Sequence, residues 1–129
     1  MWTAPFDLKA RTVFVLAFLT GPLGVRRSMF VLDTGSQVSA VDPAVVDELG
    51  YSPRMGRKVS RLVGVGGVQV GYELPVMRLE TMGLVLAPCL LMCHDMPRSL
   101  GVDGLIGMDL LEGHILTLDG KAGLVTLTP

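Results

Sequence analysis

One aspartate follows an apolar run in a way that suits chemistry. The string Phe30-Val31-Leu32-Asp33-Thr34-Gly35-Ser36 places an acid, a hydroxyl and a glycine directly after apolar residues. Gly35 allows a sharp turn because it has no Cβ, and a carboxylate at such a turn can accept backbone N–H bonds that fix its orientation. A carboxylate held in this way can serve general acid–base chemistry. The same four residues also fit an ordinary Asx-type turn that caps a strand.

A glycine-rich run, Val63-Gly64-Val65-Gly66-Gly67-Val68, is the second candidate. It fits either a tight turn between two strands or a mobile hairpin lid that closes over a ligand. Glycine-rich loops also bind phosphate, but those loops are followed by a helix start or by Lys-Ser/Thr. Neither follows this run, so the phosphate interpretation fails.

The segment Cys89-Leu90-Leu91-Met92-Cys93-His94 contains three residues that can bind metals. Its C-x3-C-H spacing differs from the C-x2-C-H of haem attachment. A zinc site would need a fourth ligand, and His114 is the only other histidine. We therefore expect no metal and no other cofactor. We expect both cysteines to be core thiols on one face of a strand.

Short apolar segments separated by Gly and Pro dominate the chain, which is typical of an all-β protein. The run 13–19 follows two basic residues, but it is too short to span a bilayer and no small-x-small cleavage site follows it. We predict strands over residues 13–19, 26–32, 38–41, 84–93 and 105–107, a hairpin of 59–64 with 68–79, and a closing hairpin of 115–118 with 124–127.

Two short helices are predicted between the strands. Asp42 suits an N-cap, Pro43 suits the first helical turn and Gly50 suits the stop, which predicts a helix up to residue 49. A second helix is predicted over 108–111, where Asp109 could cap the helix or pair with an arginine.

The composition limits the class of partner. The chain has 129 residues, which suits a single domain over 1–129. Half of the residues are hydrophobic and 18% are charged, so surplus apolar surface favours a subunit interface or an apolar substrate groove. The net charge of -1 and the lack of a basic stripe argue against nucleic acid. Without a credible signal or span we expect no membrane partner and a cytoplasmic location.

Taken in chain order, these segments resemble the retropepsin-like aspartic proteases. The turn 33–36 looks like the active-site turn of that family, and 63–68 sits where the family carries its flap. Residues 104–111 look like its apolar-apolar-Gly segment with the helix that follows, and 115–127 resembles the closing hairpin of retrotransposon-type and bacterial members. Each match is weak alone, but they occur in family order.

The resemblance implies an all-β, closed retropepsin-like β-barrel with a flap hairpin and one or two short helices. It implies an aspartic endopeptidase with Asp33, Thr34 and Gly35 as catalytic residues. Two carboxylates that share one proton activate a water in this family. The chain has only one Asp-Thr-Gly, so the second carboxylate is expected from Asp33 of a second copy in a homodimer.

The resemblance also implies an extended peptide or protein substrate, and we expect it to be apolar on both sides of the cut because the pocket walls are expected to be Val, Leu and Met. Its expected substrate-binding residues are Ser36, Val65, Gly66, Gly67 and Ile106. Many retroviral members have alanine where this chain has Ser36. We expect this hydroxyl to hydrogen-bond the Asp33 carboxylate and favour its charged form, which predicts a more acidic pH preference than that of a Ser36→Ala variant.

Three alternatives remain at this stage. The chain could be a catalytically silent peptide-binding and dimerisation module with the same fold. It could be a processing domain cut from a longer chain and active only on its parent. It could be a small metalloprotein that uses Cys89, Cys93 and His94.

Overall fold

The protein is described by a computed structural model that covers the backbone of residues 1–64 and 67–129, and the side chains outside 58–70. This part of the chain is mostly β. Its strands are β1 (Trp2–Pro5), β2 (Phe14–Gly21), β3 (Gly24–Leu32), β4 (Ala40–Val41), β5 (Arg57–Gly64), β6 (Gly67–Val76), β7 (Arg78–Thr81), β8 (Leu84–Leu86), β9 (Cys89–Cys93), β10 (Gly104–Ile106), β11 (Ile115–Asp119) and β12 (Leu124–Thr128).

Two short α-helices, α1 (Pro43–Glu48) and α2 (Met108–Leu111), accompany the strands, with single 3₁₀ turns at Pro53–Met55 and Arg98–Leu100. The predicted cap of α1 is confirmed, because the Asp42 carboxylate accepts a 2.9 Å hydrogen bond from the Ala44 N–H and Pro43 opens the helix. No helix in the described part of the chain has the length and apolar character needed to span a bilayer.

The strands form two sheets. A nine-stranded sheet runs in the order β5-β6-β9-β4-β10-β3-β2-β7-β8 and curls into a half-barrel, and a three-stranded sheet runs in the order β1-β12-β11. Most neighbours are antiparallel, but β10 pairs with β3, and β4 with β9, in parallel. Closure of the sheet into a complete barrel stays a prediction.

The main core lies on one face of the large sheet. Along β2 the side chains of Val15, Ala17 and Leu19 are buried while those between them are exposed, as expected when one face of a strand is covered. Each fully buried Leu or Phe side chain contributes about 1.5–3 kcal/mol of transfer free energy. The fully buried large side chains of this face include Leu19, Phe30, Leu74, Leu79, Leu91 and Ile106.

A network of charged side chains holds the residue that leads into β10. The Asp103 carboxylate accepts a 2.9 Å hydrogen bond from the Met29 N–H and forms a 3.2 Å ion pair with the Arg26 guanidinium. The same guanidinium forms a 2.7 Å ion pair with Glu48. The Asp103 N–H returns a 2.8 Å bond to the Met29 carbonyl. Because Met29 lies in β3, this network anchors the start of β10 to β3.

Candidate active site

The predicted catalytic turn lies where β3 ends. The Asp33 N–H donates a 2.8 Å hydrogen bond to the Ile106 carbonyl, and the Asp33 carboxylate accepts a 3.0 Å bond from the Gly35 N–H. The Ser36 N–H closes the turn on the Asp33 carbonyl at 3.2 Å. Asp33 is half-buried, while Thr34 and Gly35 are exposed. The turn therefore fixes one carboxylate and presents it beside an accessible hydroxyl.

A second segment, 106–108, supports this turn from the neighbouring strand. Ile106 pairs with Leu32 in the parallel β3–β10 ladder, and the Met108 N–H donates a 2.8 Å bond to the Ser36 carbonyl. Between them, Gly107 is packed so closely that a Cβ would lie 2.6 Å from the Val38 carbonyl oxygen. The apolar-apolar-Gly segment of the sequence is thus in direct contact with the Asp33 turn.

The expected bond from Ser36 to the Asp33 carboxylate is not made in this structure. The Ser36 hydroxyl instead donates to the Val38 carbonyl at 2.7 Å. A hydroxyl has one proton to donate, so this bond leaves nothing for the carboxylate. The sequence-based expectation was wrong because it took neighbours in sequence to be partners, whereas the turn directs this side chain forward along its own loop.

The structure also corrects the expected role of Ile106 in substrate binding. The Ile106 side chain is 0% exposed and packs in the main core, so it offers no surface to a ligand. It supports the site through its carbonyl, which holds the Asp33 N–H. Its neighbour Leu105 is partly exposed on the opposite face. Which of Leu105 and Ile106 faces the core depends on the pairing of β10 with β3, which the sequence alone does not show.

An apolar row crosses the sheet on the face opposite the main core. The β-ladder registers align Val31 with Leu105, Leu105 with Ala40, and Ala40 with Met92. Ala40, Met92 and Met96 form a second buried cluster, against which Val38 and Leu105 pack. Val31, at one end of this row, lies on β3, the strand that leads into Asp33.

Two polar residues of this region were not identified as a pair from the sequence. The Ser39 hydroxyl donates to the Asp109 carboxylate at 2.7 Å and accepts a 2.8 Å bond from the Gly107 N–H. Asp109 also accepts a 2.9 Å bond from the Leu110 N–H, but it lies inside α2, whose N-cap is Gly107 without a side-chain cap bond, so the cap expected from Asp109 is not formed. A serine followed at long range by an acid is too common a pattern to signal this contact.

The expected flap lies partly outside the described residues. The hairpin itself is confirmed, because β5 and β6 pair in antiparallel register with Gly64 opposite Gly67. Val65 and Gly66 lie outside the part of the chain that the structure describes. Their assignment to substrate binding, with that of Gly67, stays a prediction.

The two cysteines are buried, unpaired thiols. Burial raises the pKa of Cys89 to about 11, with a further contribution from the nearby Asp109 charge, and burial likewise raises the pKa of Cys93 to about 11. Both side chains face the core from one strand, as predicted. Within the described residues, no three His, Cys, Asp or Glu side chains gather to hold a metal ion.

Comparison with known proteins places the chain in a family. A family model described as "Aspartyl protease" matches residues 23–110, a span that includes the Asp33 turn and β10. The chain belongs to the aspartyl protease family. No curated protein sequence matches it.

Solved structures of retropepsin-like aspartic proteases share its fold. A retropepsin-like aspartic protease from Rickettsia conorii superposes with a TM-score of 0.69 at 14% identity, covering 98% of this chain and 90% of its own. The retroviral protease-like domain of Ddi1 from Leishmania major gives 0.58 at 19% identity, with coverages of 92% and 94%. EIAV protease complexed with the inhibitor HBY-793 gives 0.55 at 24% identity, with coverages of 78% and 84%.

The family match covers both the Asp33 turn and the segment beside it. Within this chain, the turn that follows the apolar strand β3 and the apolar-apolar-Gly segment beside it are joined by backbone hydrogen bonds. The family predicted from the sequence is thus confirmed, and the assignment of Asp33, Thr34 and Gly35 as catalytic residues stays a prediction.

Proposed function

We propose that the protein is an aspartic endopeptidase whose active site forms between two copies of the chain, each contributing Asp33. The observation that carries this proposal is the Asp33 turn itself, at the end of β3. The Asp33 carboxylate accepts the Gly35 N–H, and the backbone N–H of Asp33 donates to the Ile106 carbonyl. The family membership supports peptide hydrolysis as the reaction.

The proposed chemistry needs two carboxylates. Like charges about 3 Å apart cannot both ionise, so the pair shares one proton. The ionised carboxylate removes a proton from a water held between the two, and the resulting hydroxide attacks the scissile carbonyl. The protonated carboxylate donates its proton to the carbonyl oxygen. The two apparent pKa values then belong to the pair and not to either aspartate.

The single Asp-Thr-Gly of the sequence supports a homodimer. A two-fold axis close to the turn brings the two Asp33 carboxylates together in an isologous contact. Thr34 is exposed beside Asp33, so its hydroxyl is available to donate a bond across that axis. We further propose that the β5–β6 hairpin closes over the substrate as a flap, excluding water from the dyad.

The apolar row supports an apolar preference at the cleavage site. Val31 leads into Asp33, and Leu105 lies beside Val31 on the same face of the sheet. Ala40 and Met92 continue this face as buried residues, so the accessible apolar surface is that of the partly exposed Val31 and Leu105. An extended peptide that alternates its side chains presents one set to such a surface, and burial of an apolar side chain against it is favourable.

Cleavage of a mixed peptide library from about pH 4 to about pH 7 tests the proposal. We expect the wild type to cut between apolar residues, and Asp33→Asn to lose the activity by at least about a thousandfold because the amide cannot act as the base. Asp95→Asn, a change of the same chemistry at an exposed position, serves as the matched control and keeps full activity.

The dependence of rate on protein concentration tests the dimer separately. At concentrations below the dimer dissociation constant, the specific activity should rise with concentration, and sedimentation should show the dimer over the same range. A folded dimer that cleaves no peptide would reject the endopeptidase and support the silent peptide-binding module.

A further inference from the structure

Ser39 is a polar side chain in a buried place. It is 0% exposed, it donates to the Asp109 carboxylate at 2.7 Å, and it accepts from the Gly107 N–H at 2.8 Å. Both roles of the hydroxyl are filled, as buried polar groups require. These two bonds join the residue directly before β4 to the segment that follows β10.

The two joined segments carry the backbone contacts of the proposed catalytic turn. The Ile106 carbonyl holds the Asp33 N–H, and the Met108 N–H holds the Ser36 carbonyl. Gly107 lies between these two contacts and is itself held by Ser39. A displacement of Gly107 therefore moves the Ile106 carbonyl, and with it the backbone of Asp33.

The Asp109 carboxylate sets the direction of the Ser39 hydroxyl. By accepting the Ser39 proton, it leaves the lone pairs of the oxygen facing the Gly107 N–H. The same carboxylate oxygen accepts the Leu110 N–H at 2.9 Å, which fixes the carboxylate against the start of α2. Hydrogen bonds to an ionised acceptor are short and strong, and this one spans 70 residues of sequence.

We propose that Ser39 and Asp109 are positioning residues that hold Asp33 in its reactive orientation through Gly107 and Ile106. This inference rests on the proposed function, because the orientation matters only if Asp33 reacts. The pair does not touch the substrate in this scheme. It acts by keeping the 33–39 and 106–109 segments in one register, and a small misplacement of a reacting group is enough to lower its rate steeply.

The kinetic test compares Asp109→Ala with Asp109→Asn, and both with Ser39→Ala. Asp109→Ala and Ser39→Ala should lower kcat about a hundredfold with KM within about twofold, since the substrate contacts remain. Asp109→Asn should recover most of kcat, because the amide oxygen accepts the Ser39 proton in the same geometry. Asp95→Ala, at an exposed site, is the control. Every variant is assayed below its melting temperature at an equal folded fraction.

A structural measurement separates this inference from the proposed function. In wild type and Asp109→Asn, the amide NMR signals and hydrogen-exchange protection of Asp33, Gly35 and Gly107 should coincide within small local shifts. In Asp109→Ala, or in Ser39→Ala if the former does not fold, the loss of protection should extend from Gly107 to Asp33. This comparison needs no turnover, so it remains decisive if the wild type proves inactive.

Two results would overturn the inference. The first is a folded Asp109→Ala variant with kcat within about twofold of wild type. The second is a change in exchange that stays at Gly107 and leaves Asp33 as it was, which would make the pair a local structural contact only. An inactive wild type with changes that do reach Asp33 would reject the endopeptidase and retain the positioning of the turn.

Discussion

The N–H of Asp33 lies 2.8 Å from the carbonyl oxygen of Ile106. This bond continues the parallel β3–β10 ladder by one step beyond Leu32, at the point where the chain leaves the sheet and turns. The last hydrogen bond of a strand pair thus sets the position of the proposed catalytic carboxylate. A change that weakens the hydrogen bonds between β3 and β10 is therefore expected to displace Asp33.

Gly107→Ala tests how tightly the two segments fit. Its added Cβ would lie 2.6 Å from the Val38 carbonyl oxygen and 2.9 Å from that of Ser36, and both are backbone atoms that cannot move aside cheaply. We expect a loss of about 1–3 kcal/mol in the free energy of unfolding together with a loss of peptidase activity. Urea denaturation and peptide cleavage measure the two effects.

Gly120→Ala is the matched control for this change. Nothing lies within 4 Å of a Cβ built at Gly120, so the substitution should leave both stability and activity within experimental error of wild type. Equal effects at the two glycines would show that close packing at Gly107 has no special importance.

Ser36→Ala removes a hydroxyl that bonds the Val38 carbonyl and not the carboxylate. We expect the variant to lose about 1 kcal/mol of stability and to keep the pH–rate profile of wild type. A profile displaced along the pH axis would mean that the hydroxyl turns to Asp33 in the active dimer, as the sequence alone suggested.

A pair of Tyr→Phe variants compares a satisfied hydroxyl with an unsatisfied one. The buried Tyr51 hydroxyl donates to the Thr20 carbonyl at 2.6 Å and accepts the Met77 N–H at 2.8 Å. Tyr51→Phe should therefore cost about 1–3 kcal/mol of unfolding free energy, because Met77 and Thr20 lose their partner. Denaturant midpoints at constant slope measure this cost.

Tyr72→Phe is the counterpart. The Tyr72 hydroxyl is buried, has no hydrogen-bond partner within the described residues, and stands beside the Cys93 thiol, a weak hydrogen-bonding group. Burial raises the pKa of Tyr72 well above its usual value. Removing this hydroxyl should leave stability unchanged or increase it, and a loss as large as that of Tyr51→Phe would contradict the structure.

The cysteines predict a fall in stability at alkaline pH. The pKa of each buried thiol is about 11, against an ordinary value of about 9, so the folded protein retains protons that the unfolded chain releases. The contribution of the thiols to the free energy of unfolding is therefore fully present below about pH 9. It is lost as the pH rises toward about 11, by an amount on the order of 2–3 kcal/mol per thiol. Melting temperatures across this range measure the loss.

The double variant Cys89→Ala/Cys93→Ala isolates the thiol contribution from that of other groups that titrate in the same range. Its melting temperature should fall less steeply between about pH 9 and about pH 11 than that of wild type. Parallel curves for the two proteins would assign the alkaline loss to residues other than the cysteines.

Local patterns in the sequence predicted much of the fold. The β2–β3 hairpin, the capped helix α1 and the closing β11–β12 hairpin all follow from apolar periodicity and turn residues, and the structure confirms them. The predicted strand over 84–93 is divided at Pro88, which has no N–H for a ladder. The predicted arm over 68–79 is divided at Met77, where no sequence signal marks the break.

Long-range pairing was beyond the reach of local patterns. Strand β1 was not predicted, because its stability comes from pairing with β12 at the other end of the chain and not from its own composition. The same limit explains the errors at the site. The choice between Leu105 and Ile106 depends on the register with β3, and the Ser39–Asp109 contact depends on two segments that only the tertiary fold brings together.

The parallel pairing of β3 with β10 also has a consequence for the order of events during biosynthesis. Contacts between distant parts of a chain form slowly, since a long loop must close before they bring any gain. The support for Asp33 comes from Ile106 and Met108, so a growing polypeptide that has not yet extended past these residues holds an incomplete turn. In the proposed chemistry, a ribosome-bound fragment therefore lacks a positioned Asp33, and the capacity to cut arrives only when two completed chains pair.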